Sequence, residues 1–176
     1  MREVYRYRQR KDSFLKEDPN SPLRTNGFTG LRYFPVSQKY VFRSAFERFE
    51  VPKERVLSGT MVEQVFWHMG TVRFRYNSRE HSLEVFSFAR VSEYLFIPFK
   101  DLTSGFETFE EGRYLEPQLR NDGRLLLDFN YAYNPYAAYA ENLPSPLPPK
   151  ENHLKVALRA GEKLYRTTRH PHDNII

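Results

Sequence analysis

Between residues 71 and 88 the side chains alternate in character with a period of two. Val72, Phe74 and Tyr76 are interleaved with Arg73 and Arg75, and the alternation resumes at Leu83 and Val85 after Asn77-Ser78-Arg79-Glu80. Successive side chains of a strand point to opposite faces, so this spacing makes one face apolar and the other charged. A helix would scatter the same residues around its axis. Thr71 to Phe88 therefore reads as a β-hairpin, and its apolar face requires a partner layer.

Further strands are expected at Leu31–Phe34, Tyr40–Arg43, a long run from Val56 to Met69, Tyr94–Phe99, Arg124–Phe129 after the turn Asn121-Asp122-Gly123, and Leu154–Leu158. Phe42, Ala45, Phe46 and Phe49 also fit a helical spacing, but their β-aromatic surroundings and the nearby Pro52 favour an extended segment. Gly59 and Gly70 mark bulges or turns near the ends of the long run. Upstream, Val4, Tyr7, Lys11, Phe14 and Leu15 predict one amphipathic helix that stops before Pro19. Tyr131–Pro149 contains Pro135, Pro144, Pro146, Pro148 and Pro149 and reads as a long fixed loop. The expected fold is mainly β, an antiparallel barrel-like or strongly bent sheet with one N-terminal helix and a long Pro-rich C-terminal loop.

A chain of 176 residues suits one domain, here 1–176, and 16% aromatic content suits half-buried strands. Net charge is +5, and the run Arg2, Arg6, Arg8, Arg10 and Lys11 supplies much of it. Such a run reads as a solvated face or an anchor for local ion pairs before it reads as a phosphate contact, so nucleic acid is disfavoured as a partner. The absence of cysteine excludes disulfides, thiolate metal sites and a cysteine nucleophile. No apolar run approaches the length of a membrane span and the first residues are charged, so the expected compartment is the cytoplasm.

Several ordered strings carry a likeness. They are Phe28-Thr29-Gly30-Leu31-Arg32-Tyr33-Phe34-Pro35, Phe99-Lys100-Asp101-Leu102-Thr103-Ser104-Gly105, Gly112-Arg113-Tyr114-Leu115, and Leu127-Asp128-Phe129-Asn130-Tyr131-Ala132-Tyr133-Asn134-Pro135-Tyr136. Pro146-Leu147-Pro148-Pro149, Glu151-Asn152 and Ala160-Gly161-Glu162-Lys163 extend it. Together they resemble domain-of-unknown-function family 1684 over about residues 22–163, which leaves 1–21 as a helical N-terminal extension and 164–176 as a tail. The resemblance implies no activity. Ala137 and Ser145 stand where the family pattern suggests cysteines, and Glu110 and Glu111 stand where it suggests a glycine-rich turn.

Within these strings Asp101, Glu107, Arg113, Asp128, Asn130, Asn134 and Tyr136 form the candidate ligand-binding set. Asp128 is the sharpest case, since Leu125, Leu126, Leu127 and Phe129 bracket it and a carboxylate in such company needs partners. One reading has Asp128, Asn130 and Asn134 capping loop backbone. In the other, Asp101, Glu107 and Asp128 meet Arg113 at a pocket mouth and grip a small polar ligand. A hydrolase-like enzyme with Asp128 or Glu107 as general base and a structural or interaction protein are the alternatives, and no catalytic residue is assigned. No cofactor fingerprint occurs, and no metal site is expected: His170-Pro171-His172-Asp173 lacks an orienting element, and His68 and His153 read as structural or surface residues. Tyr131, Tyr133, Tyr136 and Tyr139 form an aromatic row that either packs the loop or stacks on a ligand.

Overall fold

The computed structural model describes residues 1–24, 28–140 and 143–165. A helix, α1 (Arg2–Glu17), is followed by seven strands: β1 (Val41–Leu57), β2 (Gln64–Tyr76), β3 (Arg79–Ser87), β4 (Ile97–Phe99), β5 (Arg113–Leu115), β6 (Gln118–Leu119) and β7 (Leu125–Asp128). All strand pairs are antiparallel, with a five-stranded sheet in the order β3-β2-β1-β7-β6 and a two-stranded sheet of β4 and β5. The two sheets are stitched where Phe86 and Phe96 exchange backbone hydrogen bonds of 2.8 Å. The sheet bends but does not close into a barrel. No ladder joins β5 to β6, although both are fully described; Glu116-Pro117 separates them and proline cannot donate to a ladder.

The β2–β3 hairpin follows its alternation. Val72 pairs with Leu83 and Phe74 with His81, and the turn residues Asn77 and Ser78 both adopt left-handed backbone, as a type I′ connection requires. The long run expected from Val56 to Met69 is instead the end of β1, a turn and the start of β2. A bulge between His68 and Gly70 flips the alternation within β2: Trp67 before it and Met69 within it face the main core, as do Val72 and Phe74 after it. Gly70 is suited to the bulge, because it has φ 147° and a Cβ there would stand 2.2 Å from the Glu47 carbonyl oxygen.

Two other expected strands are not strands. Leu31–Phe34 keeps a single bridge, Tyr33 to Glu162, and Leu154–Leu158 forms no ladder. At Leu158 the backbone N–H and C=O bond to the side chains of Asp101 and Arg113 instead of to a neighbouring strand. Tyr131 ends the 3-10 turn Phe129–Tyr131; the following residues, where described, contain a second such turn at Tyr136–Ala138, and Tyr133 bridges Tyr114.

Period two also divides the apolar side chains between two clusters. Leu95, Ile97, Phe99, Leu115, Leu125 and Leu127 join the main core, while Phe96 and Tyr114, on the opposite face, join Leu57, Phe66 and Phe86 in a second cluster. Helix α1 packs near that opposite face. It buries Val4, Arg8 and Leu15, spaced to share one side of the helix. Arg8 is therefore not part of a solvated face: it donates to the carbonyls of Phe34 (3.0 Å) and Asn130 (3.3 Å) and lies over the Tyr33 ring. Arg2, Arg6 and Arg10 remain exposed. Among the described residues no helix is long and apolar enough to cross a membrane.

Candidate functional site

Asp101 and Arg113 meet in the interior. Arg113 Nη2 donates to Asp101 Oδ2 at 3.0 Å, with side-chain exposures of 1% and 0%. The rest of the guanidinium is taken by backbone, since it donates to the carbonyls of Leu158, Ala160 and Glu162. Asp101 Oδ2 also accepts from the Leu158 N–H, and its Oδ1 accepts from the backbone and hydroxyl of Thr103. Both charges are thus fully partnered, and their joint effect is to pin segment 158–162 across β5. Burial works to lower the Arg113 pKa and the adjacent Asp101 carboxylate opposes it.

The other candidates lie apart from this pair. Glu107 is partly exposed and forms a 2.8 Å ion pair with Arg159. Asp128 caps the 3-10 turn at Phe129–Tyr131, with Oδ1 accepting from the backbone N–H of Asn130 (3.0 Å) and from its Nδ2 (2.7 Å). Asn130 is buried and its amide spans Ser37, accepting from the N–H and donating to the carbonyl. Asn134 is 2% exposed and donates through Nδ2 to the Lys163 carbonyl, while its Oδ1 has no hydrogen-bond partner. Tyr136 is half exposed. Asp101, Glu107, Arg113 and Asp128 therefore do not share one hydrogen-bonded cluster. His68 bonds to Glu84 and His153 to the Pro148 carbonyl; the His170-Pro171-His172-Asp173 string lies outside the described residues.

A cleft of about 440 Å³ opens between α1 and the second face of the sheet. Tyr7, Lys11, Phe14 and Leu15 line it from the helix, Phe88, Phe96 and Tyr114 from the sheet, and Tyr133, Asn134, Pro135, Tyr136, Tyr139 and Pro146 from the segment beyond β7. Local geometry explains the wall. Tyr114 points away from the Arg113 side of β5, meets Phe96 edge-on at 4.8 Å and donates its hydroxyl to the Pro146 carbonyl at 2.7 Å. Tyr133 pairs with Tyr114 through backbone bonds, and its hydroxyl donates to Glu116 at 2.6 Å.

Glu162 lies beneath this wall, 1% exposed. It accepts from Lys11 Nζ at 2.5 Å, from the Asn134 N–H at 2.9 Å and from the Tyr139 hydroxyl. The Lys11 ammonium also stands over the Tyr133 ring at 4.7 Å and the Tyr139 ring at 5.7 Å. Gly161 makes the placement of Glu162 possible: it has φ 74°, and a Cβ there would fall 2.3 Å from the Ala132 carbonyl oxygen, which instead accepts the Glu162 N–H. Burial raises the pKa of Tyr7, Tyr133 and Tyr139, and the nearby carboxylates of Glu116 and Glu162 add to the shift, so these phenols stay protonated donors.

An adjoining groove of about 410 Å³ shares Tyr7, Glu116 and Tyr133 and is also lined by Glu3, Leu126 and Asp128. Asp128 reaches it because β7 sends Leu125 and Leu127 into the core and Leu126 and Asp128 to the other side. Of the seven candidates, Asn134 and Tyr136 thus line the aromatic cleft and Asp128 its neighbour. Lys11 and Glu116 were not singled out from sequence. Lys11 is separated from Glu162 by 151 positions, and nothing in the basic run distinguishes it from its neighbours except its place on the apolar stripe of the helix.

The family described as protein of unknown function (DUF1684) matches residues 26–163. Among solved structures, the chain is similar to the solution NMR structure of an uncharacterized protein from Haloarcula marismortui. Identity is 32%, 92% of each chain is covered and the TM-score is 0.73. No curated protein matches.

Proposed function

Because the chain belongs to DUF1684, a family of proteins of unknown function, its activity must be sought in its own surfaces, and we propose that it is a small-ligand-binding module whose site is the aromatic cleft beside α1. One observation carries this reading: rings that a folded protein would ordinarily bury are left open around a concave space of ligand size. Phe88 is 61% exposed, Tyr136 51% and Phe14 42%, and all three face the cleft. Exposed apolar surface gathered at a concavity marks a recognition site more often than a packing fault. About 440 Å³ falls within the usual range for small-molecule pockets.

Polar groups at the cleft supply orientation. The Asn134 amide oxygen lacks a donor, Glu116 sits at the rim, and Lys11 holds one end of the floor through Glu162. Pro135 and Pro146 form part of one wall; each proline restricts its own backbone, so a ligand would meet a surface organised at these two points. In this reading Asp101, Arg113 and Asn130 serve the site indirectly, by fixing segment 158–162 and the turn that leads into the wall.

A fragment screen by amide NMR on the isotopically labelled full chain tests the proposal. Hits should perturb the resonances of Tyr7, Lys11, Asn134 and Tyr136 together. A screen whose hits cluster elsewhere, for instance in the groove between Arg55, Lys100 and Lys150, would move the site away from this cleft.

A further inference from the structure

Resting on the cleft as a binding site, its charges and rings narrow the ligand class. Two carboxylates act on it, Glu162 below and Glu116 at the rim, against the single ammonium of Lys11. Lys11 is committed to Glu162. Glu116 accepts instead from the phenol of Tyr133 at 2.6 Å, and no cation forms an ion pair with it among the described residues. In a chain of net charge +5, Glu116 therefore stands as a negative charge without an ion-pair partner at the edge of this aromatic cleft, with Arg120 across the adjoining groove.

The rings act in the same direction. An aromatic face is electronegative and attracts a cation within about 6 Å of its centroid. The protein already uses this arrangement internally, since the Lys11 ammonium is held by the faces of Tyr133 and Tyr139 together with a carboxylate. Asn134 adds an acceptor: its amide is buried in the cleft wall and Oδ1 has no donor. The remaining lining at Phe88, Phe96 and Pro146 is apolar and asks for an apolar body.

We propose that the ligand is an organic ammonium ion with an apolar, ring-sized body, its N–H groups directed to Glu116 and Asn134 and its body against Phe88 and Phe96. A neutral ligand of the same shape would gain the apolar contacts alone, and an anion would meet Glu116 unfavourably.

Three probes of matched size separate these cases: 2-phenylethylammonium, 2-phenylethanol and 3-phenylpropanoate, each titrated into the labelled full chain by amide NMR. The ammonium should bind at least about tenfold more tightly than the alcohol, a ratio that corresponds to one charge-assisted contact. The carboxylate should bind most weakly. Raising the salt concentration should narrow the ratio, and Glu116→Gln should collapse it toward one. Because Glu116 is exposed, that variant should fold normally. An alcohol or carboxylate that binds as well as the ammonium, with shifts still centred on Tyr7, Asn134 and Tyr136, overturns the ammonium assignment and leaves the cleft as the site. No cleft shift with any probe, combined with a fragment screen empty at the same residues, overturns both.

Discussion

Arg113→Met is the perturbation that most severely tests the pinning of segment 158–162. Methionine keeps much of the stem but removes the hydrogen bonds to Asp101, Leu158, Ala160 and Glu162. Asp101 would be left as a buried carboxylate with no countercharge, and the carbonyls would lose donors where water does not reach. Breaking a buried pair from one side costs about 3–5 kcal/mol, a large part of the roughly 5–15 kcal/mol that holds a domain together. Urea unfolding followed through the single tryptophan, Trp67, which packs partly against the main core, reads the loss directly. With a slope of about 2 kcal/mol per molar urea, the midpoint should fall by about 1.5–2.5 M. Arg113→Lys should recover little, because one ammonium cannot match a planar fork that serves four acceptors. A midpoint shift below about 0.5 M in Arg113→Met would refute the assignment of this pair as the pin of the C-terminal segment.

Three further outcomes follow from the same geometry. Asn152→Ala should destabilise by about 2–3 kcal/mol and speed hydrogen exchange at the Glu84 amide, because the Asn152 side chain accepts from the Glu84 N–H at 2.7 Å and donates to the carbonyls of Glu84 in β3 and Pro98 in β4, linking the two strands. Gly161→Ala should cost more than about 1 kcal/mol in the same unfolding assay, since both the left-handed backbone and the Ala132 carbonyl oppose a Cβ. Stability should fall as pH rises past about 10: burial holds Tyr7, Tyr33, Tyr133 and Tyr139 protonated when folded, whereas the unfolded phenols ionise near 10, so above that pH the unfolded chain binds fewer protons and is favoured. Phenolate absorbance from these tyrosines should accordingly appear together with loss of structure; reversible ionisation with the fold intact would contradict their burial.

Much of the fold can be read from local pattern. The β2–β3 hairpin is legible because nothing interrupts the alternation from Val72 to Tyr76 and from Leu83 to Val85, and α1 because Val4 and Leu15 lie on one stripe. Phe42, Ala45, Phe46 and Phe49 lie in a strand as their surroundings indicate. Pattern fails where one tertiary contact replaces a ladder. Leu154–Leu158 has strand-like composition, yet Asp101 and Arg113 occupy the backbone of Leu158, and the bulge at Gly70 reverses the faces of β2 without altering composition.

The candidate site was legible in part for a related reason. Asn134 and three of the four tyrosines in the row, Tyr133, Tyr136 and Tyr139, lie close in sequence and line one wall, while Tyr131 lines the adjoining groove. The opposite wall comes from a helix more than a hundred residues away, and the rim from Glu116 between two short strands, so only the folded chain joins them. Asp101 and Arg113 show how a polar cluster in an apolar segment can serve architecture, with every charged atom directed at backbone or at its partner.

The most direct measurement is a crystal structure of the full chain with the tightest fragment from the screen. The predicted result is a ligand lying between Tyr7, Phe88, Tyr133 and Tyr136, in contact with Glu116 or the Asn134 amide. A ligand bound elsewhere, or a cleft filled by collapse of Phe88 and Tyr136 onto Phe96, would contradict the assignment of this surface as the binding site.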